Sequence, residues 1–139
     1  MIIGGTCYSF KRELLEGLHS SEDKFMLALF TAAAFIGPSV TSYGAQVGEV
    51  RAGDGYAAGG KPLSGYKAGL DGETAWLDFD DLVWPNSSIT ARGGLIYNAS
   101  KGNRAVAVVD FGGDIVSTHG PFKVEFPAPD MEHAFLVLS

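Results

Sequence analysis

The sequence has one cysteine, Cys7, in 139 residues. A single thiol closes no internal disulfide, so a disulfide scaffold is excluded and Cys7 is expected reduced, in an intracellular setting. Cations are scarce: 10 Lys and Arg stand against 16 Asp and Glu, a net charge of −6, with no basic run. That balance speaks against a nucleic-acid backbone as partner. A long apolar run is also missing. The stretch Phe25 to Gly37 is uncharged over 13 residues, short of the roughly 20 that a spanning helix needs. It follows Glu13, Glu16, Glu22 and Asp23, not the basic leader of a signal peptide, so neither a membrane span nor secretion is expected. The sequons Asn86-Ser87-Ser88 and Asn98-Ala99-Ser100 then carry no glycan and read as strand ends.

The patterns of catalysis are equally thin. His19, His119 and His133 are isolated, without the convergent spacing of a metal site. No Gly-x-Ser-x-Gly surrounds a serine, and Cys7 has no activating motif. Gly53-Asp54-Gly55 and Gly59-Gly60-Lys61 resemble a phosphate loop only superficially, because Pro62 stands where a Ser or Thr belongs. No enzyme, no metal and no cofactor is expected.

What is present is globular. Hydrophobic residues make 46% and charged residues 19% of the chain, with 19 glycines and 12% aromatics. The length suits one domain spanning 1–139. Phe10, Leu14, Leu15 and Leu18 recur at helical spacing, with Ser9 placed to cap the start and Gly17 weakening the end. From Lys24 to Phe30 the pattern is a strand, apolar on both faces. Periodicity then vanishes between Gly37 and Gly65, where eight glycines and two prolines fall in 29 residues. So long a connection is either functional or ordered by a partner.

Strand signals follow at short intervals: 66–70, the hairpin dipeptide Asp71-Gly72, 75–79, a break at Pro85-Asn86-Ser87, then 89–97. Strands 105–111, 122–126 and 135–138 complete the series, with a turn expected at Gly112-Gly113-Asp114. The fold class predicted is all-β: a jelly-roll-like antiparallel β-sandwich with one short N-terminal helix.

Three features remain to weigh. Asp78 and Asp80 share a strand face beside Asp81, and the pattern reads as a solvated face that discourages edge pairing. Asp110 lies on a more apolar strand, where Arg92 or Arg104 is its expected partner. Trp76 and Trp84 are core or interface anchors on the simplest reading; a carbohydrate-binding or head/tail-fibre sandwich that stacks sugars on them is the alternative. The most informative feature is apolar excess. The segments 25–30, 105–111 and 134–138 are apolar on both faces, so either the helix and the long loop cover them or another subunit does; the helix has room for one, and a second subunit is expected to cover part of the rest. Val106, Val108, Phe135 and Leu136 are the residues expected at that self-association face.

Several words of the sequence are also shared with a known group. Gly48-Glu49-Val50, Gly55-Tyr56, Gly59-Gly60, Trp84, Thr90-Ala91-Arg92-Gly93, Tyr97, Val109-Asp110-Phe111-Gly112 and Phe126-Pro127 occur in this order over about three-quarters of the chain. In these words it resembles a family of small virion proteins of tailed bacteriophages, the capsid cement (decoration) proteins of short-tailed phages. The resemblance implies a jelly-roll homodimer, made in the host cytoplasm, that binds the capsid exterior and bridges neighbouring major capsid subunits. It implies no catalytic residue. The glycine-rich segment, with Gly48, Glu49, Val50, Gly55, Gly59, Gly60 and Tyr56 as anchor, is the expected capsid-contact loop.

Overall fold

The computed structural model describes residues 1–44, 46–126 and 136–138. In chain order its elements are β1 (Gly5–Thr6), α1 (Tyr8–Leu15), β2 (Phe25–Phe30), β3 (Lys61–Pro62), β4 (Lys67–Asp71) and β5 (Thr74–Asp78), then β6 (Leu82–Ser87), β7 (Thr90–Asn98), β8 (Arg104–Val116), β9 (Gly120–Val124) and β10 (Leu136–Leu138). A five-stranded sheet has the order β1-β8-β7-β2-β3; β10-β5-β4 and β6-β9 form two smaller sheets. The pairings between these strands are antiparallel. Aromatic rings join the layers. Phe25 of β2 meets Tyr66 and Phe79 at centroid separations of 5.6 Å, and Phe111 of β8 meets Phe122 of β9 at 6.3 Å. The class is the one expected, a sandwich-like all-β fold with a single short helix.

Helix α1 sits one face differently from its predicted stripe. Phe10 and Glu13 are buried and Leu14 is half-buried, whereas Leu15 is 91% exposed. Five residues on from Phe10, Leu15 is turned about 140° away from it at 3.6 residues per turn. Ser9 does not cap the helix. Cys7 holds the N-cap position without a side-chain bond, and Pro38 C=O accepts the orphan N–H of Tyr8 at 2.9 Å.

Two expected breaks are absorbed as bulges. Pro85 lies inside β6, where the register with β9 slips between Trp84 and Ser87, so its missing N–H costs no ladder bond. Gly112-Gly113-Asp114 is not a turn. The pairing of β7 with β8 steps from Ala91↔Ile115 to Gly93↔Asp110, and β8 runs on to Val116 with the extra residues bulged out. The hairpin at Asp71-Gly72 forms as read, with Gly72 at φ +61°. Across it Gly69 faces Trp76, whose ring would lie 2.1 Å from any Cβ at that position.

The apolar excess of β2 and of residues 105–108 is hidden inside the chain. Phe25, Leu27, Ala28, Leu29 and Phe30 of β2 are all buried, and so are Ala105, Val106, Ala107 and Val108 of β8. α1 packs on β8, and Ile2 lies over the β7–β8 pair at Gly93. Val106 and Val108 are 0% and 4% exposed, so the self-association face assigned to them does not exist on the surface. Phe135 lies outside the described residues, and Leu136 is described only through its backbone pairing with Leu77.

Candidate functional site

β7 occupies one edge of β2; the other edge would present a row of open N–H and C=O groups. The glycine-rich segment closes that edge bond by bond. Thr31 N–H donates to Gly48 C=O at 2.8 Å, Val50 N–H to Leu29 C=O at 2.9 Å, and Leu63 N–H to Phe25 C=O at 2.8 Å. Between them Leu29 N–H donates to the Tyr56 hydroxyl at 3.0 Å, and β3 pairs with Met26 and Leu27. The segment expected to await a capsid is therefore already ordered by its own chain.

Glu49 fastens the wrap. Its Oε1 accepts from the Tyr43 hydroxyl at 2.6 Å; its Oε2 accepts from the Tyr56 hydroxyl at 2.7 Å and from Gly59 N–H at 2.8 Å. The Tyr97 hydroxyl donates to Gly59 C=O at 2.5 Å, and its ring stacks on Tyr43 at 4.4 Å and 8°. Burial, and after it the Glu49 charge, pushes the Tyr43, Tyr56 and Tyr97 hydroxyls above their ordinary range. They stay protonated donors, as the carboxylate requires. Glycine is obligatory at the closest approach. Gly60 has φ +82°, and a Cβ there would sit 1.8 Å from Leu27 C=O.

The contact residues named from sequence are thus mostly structural. Tyr56 is 3% exposed, its ring 6.1 Å from that of Trp84, and is no anchor for a partner. Gly48, Glu49, Val50, Gly59 and Gly60 are half-buried, and Gly55 alone of the seven is exposed. The platform turns different side chains outward. Phe35 is 85% and Val47 81% exposed, and together with Ala33, Val40 and Gln46 they line an open concavity of about 540 Å³. Nothing in their sequence neighbourhood separated Phe35 from the buried Ile36 beside it.

The remaining candidates resolve into structural roles. Trp84 is buried between Tyr56 and Phe122 with the Lys61 ammonium over its ring, leaving no face for a sugar. Trp76 is half-buried against Gly69. Asp78 is not solvated: it is 2% exposed, accepts from Phe79 N–H at 2.9 Å, and burial raises its carboxyl. Asp80 pairs with Lys67 at 2.9 Å and Asp81 with Lys123 at 3.9 Å, both on the surface. Asp110 is exposed and accepts from Gly112 N–H within the bulge; its expected partner Arg104 pairs instead with Glu13 at 3.0 Å.

A polar chain lies buried beside α1. His19 Nε2 meets Glu13 Oε1 at 2.9 Å, and its Nδ1 meets Asn98 Nδ2 at 2.8 Å. Asn98 also donates to Asp23 and accepts from Ser100 N–H, which fixes its amide orientation and so places the imidazole proton on Nε2. Burial raises the Asp23 carboxyl, but bonds from Lys101, Asn98 and Ser20 N–H outweigh it and bring it to about 2. His19 is therefore a core residue, not the rim residue expected. Glu13 stands three residues after Phe10 on the same helical face, the one signal that marked it for burial. Burial, then Glu13, pushes the Cys7 thiol up to about 12. His133 lies outside the described residues. Among the described residues no group of three His, Cys, Asp or Glu side chains is placed to hold a metal ion, and no helix is long and apolar enough to cross a membrane.

No protein family, no curated protein and no solved structure matches this chain.

Proposed function

We propose that this chain is a structural virion protein: a jelly-roll-like cement protein that decorates the exterior of a phage head and bridges neighbouring major capsid subunits. On this reading it is no enzyme and takes no cofactor. The observation that carries the reading is the pairing of a rigid platform with exposed apolar side chains. Val47 adjoins Gly48 and Glu49, which are bonded to Thr31 and to Tyr43, Tyr56 and Gly59, and Phe35 adjoins Ile36, whose backbone is bonded to Met1 and Ile3. A large apolar group held open on a fixed support costs solvation in the free chain and gains it on docking, with little ordering entropy lost.

The contact site accordingly moves from Tyr56 to the concavity of Phe35, Val40 and Val47. A shell repeats each contact many times, so a modest affinity per copy is enough to stabilise it. The net charge of −6 keeps free copies soluble and off the packaged genome. The test is cosedimentation with empty heads. Wild-type chain pellets with them, and Phe35→Ser with Val47→Ser stays in the supernatant while keeping its own melting temperature. Equal pelleting of the two would refute the site; failure of the wild-type chain to pellet would refute the function.

A further inference from the structure

Strand β9 pairs with β6 on one side only; among the described residues no strand lies on its other side. Along that free edge runs a groove of about 440 Å³, where Val109, Phe111 and Ile115 of β8 face Phe122, Val124 and Phe126. Ile115 is 43% exposed at its rim. In an antiparallel ladder successive residues turn their backbone groups alternately toward and away from the partner. Val83 of β6 gives its carbonyl to the Lys61 ammonium, so its opposite number Lys123 turns its N–H and C=O to the free side. Glu125 follows the end of β9 at Val124, and continuing the strand by one residue would turn its N–H and C=O the same way. Pro121 would face that side too, and with no N–H it limits pairing to the centre of the edge.

The edge is complementary to itself. Phe122-Lys123-Val124-Glu125-Phe126 reads alike in both directions, except that a cation on one side of the centre answers an anion on the other. Two antiparallel copies centred on Val124 set Phe122 opposite Phe126 and Lys123 opposite Glu125, each twice. Lys123 and Glu125 are both exposed, on the outer face of the strand. Within one chain Lys123 lies 3.3 Å from Glu125 and 3.9 Å from Asp81. Exposed pairs of that kind contribute about 0–1 kcal/mol, so exchanging them for pairs between copies loses little. A slip of one residue would set Lys123 opposite Val124 and lose both charge pairs.

We propose that two copies of this chain associate through their β9 edges about a two-fold axis at Val124, joining β6-β9 of one copy to β9-β6 of the other. The interface is isologous, as a closed dimer requires. Two strand edges alone bury less than the roughly 1,600 Å² of a standard interface, so the groove walls at Phe111 and Ile115 must contribute and the dimer is concentration-dependent. The proposal deepens the self-association in the reading above, on a surface other than Val106 and Val108, and it does not depend on capsid binding.

The test is sedimentation equilibrium of the full chain over a concentration series. Wild-type chain shows a monomer–dimer equilibrium. Lys123→Glu sets carboxylates against carboxylates and Glu125→Lys sets ammonium groups against each other, so each variant alone is monomeric. An equimolar mixture of the two variants associates, and the double variant K123E/E125K dimerises again. Both positions are exposed, and circular dichroism melts confirm that every variant is folded. A wild-type chain that stays monomeric, a single variant that dimerises like wild type, or a mixture that fails to associate overturns the proposal. Monomeric chain that still pellets with heads defeats this inference and leaves the cement reading standing; dimers that ignore heads do the reverse.

Discussion

Tyr56→Phe removes one oxygen atom and leaves the ring on Trp84 in place. That oxygen accepts from Leu29 N–H at 3.0 Å and donates to Glu49 Oε2 at 2.7 Å. The residue is 3% exposed, so water does not take over either bond. A buried N–H left without a partner costs about 1–3 kcal/mol, and a lost hydrogen bond to a charged group about 1.5–3 kcal/mol. Glu49 keeps Tyr43 and Gly59 N–H as donors, so the low end applies to the second loss and the sum is about 3 kcal/mol. Against a typical total of about 5–15 kcal/mol this is a large fraction. For a chain of this length it lowers Tm on the order of 10 °C. Urea unfolding gives the energy, and hydrogen exchange at the Leu29 amide gives the place. An unchanged Tm together with an unchanged Leu29 exchange rate would refute the claim that Tyr56 seals the β2 edge.

Gly60→Ala drives a Cβ into Leu27 C=O at a positive φ, so the variant is expected in the insoluble fraction or, if soluble, without protection at the Leu27 amide. Tyr43, Tyr56, Tyr66 and Tyr97 all hold their protons more tightly folded than unfolded. Stability is therefore full below about pH 10 and falls above it, by up to about 1.4 kcal/mol per pH unit for each such tyrosine; melts in alkaline buffers would show no such fall if the hydroxyls were solvated. Burial raises the Asp78 carboxyl, so the ionised form costs stability at neutral pH and the cost disappears as pH drops through the folded value. Asp78→Asn, which keeps an acceptor for Phe79 N–H, is expected to raise the urea midpoint at neutral pH and to make no gain in acid. Cys7, fully buried with its thiol pushed up to about 12, is expected to react with a thiol reagent only at the rate of unfolding; fast labelling in native buffer would contradict its burial.

Strands β4, β5, β7 and β9 were legible because their signals are local, whereas β1, β3 and β6 carry no such signal and were not read as strands. Alternation from Ile89 to Tyr97 and from Phe122 to Phe126, and the Asp71-Gly72 dipeptide, need no distant partner to be read. β2 was legible as doubly apolar, but the cover on its second face and edge was not. Its bonds join residues far apart in sequence, Leu29 to Tyr56 and Phe25 to Leu63, through a segment that has no periodicity. Hence a segment rich in glycine looked like one awaiting a partner, when Gly60 marks an approach to β2 and Gly55 one to β6. The same distance hid the Glu13–His19–Asn98 chain, although the place of Glu13 on the Phe10 face was there to be seen. Pro85 and Gly112-Gly113 read as chain breaks because bulges cannot be told from turns without the partner strand. Phe35 and Val47 were invisible for a related reason: exposure belongs to the assembled surface and not to the residue type.

Cryo-electron microscopy of heads incubated with the chain would observe its place directly. The account expects density on the shell exterior, lying across the boundary between neighbouring capsid subunits, with the Phe35–Val47 concavity turned toward the shell. Bare heads, or chain attached only through another surface, would contradict it.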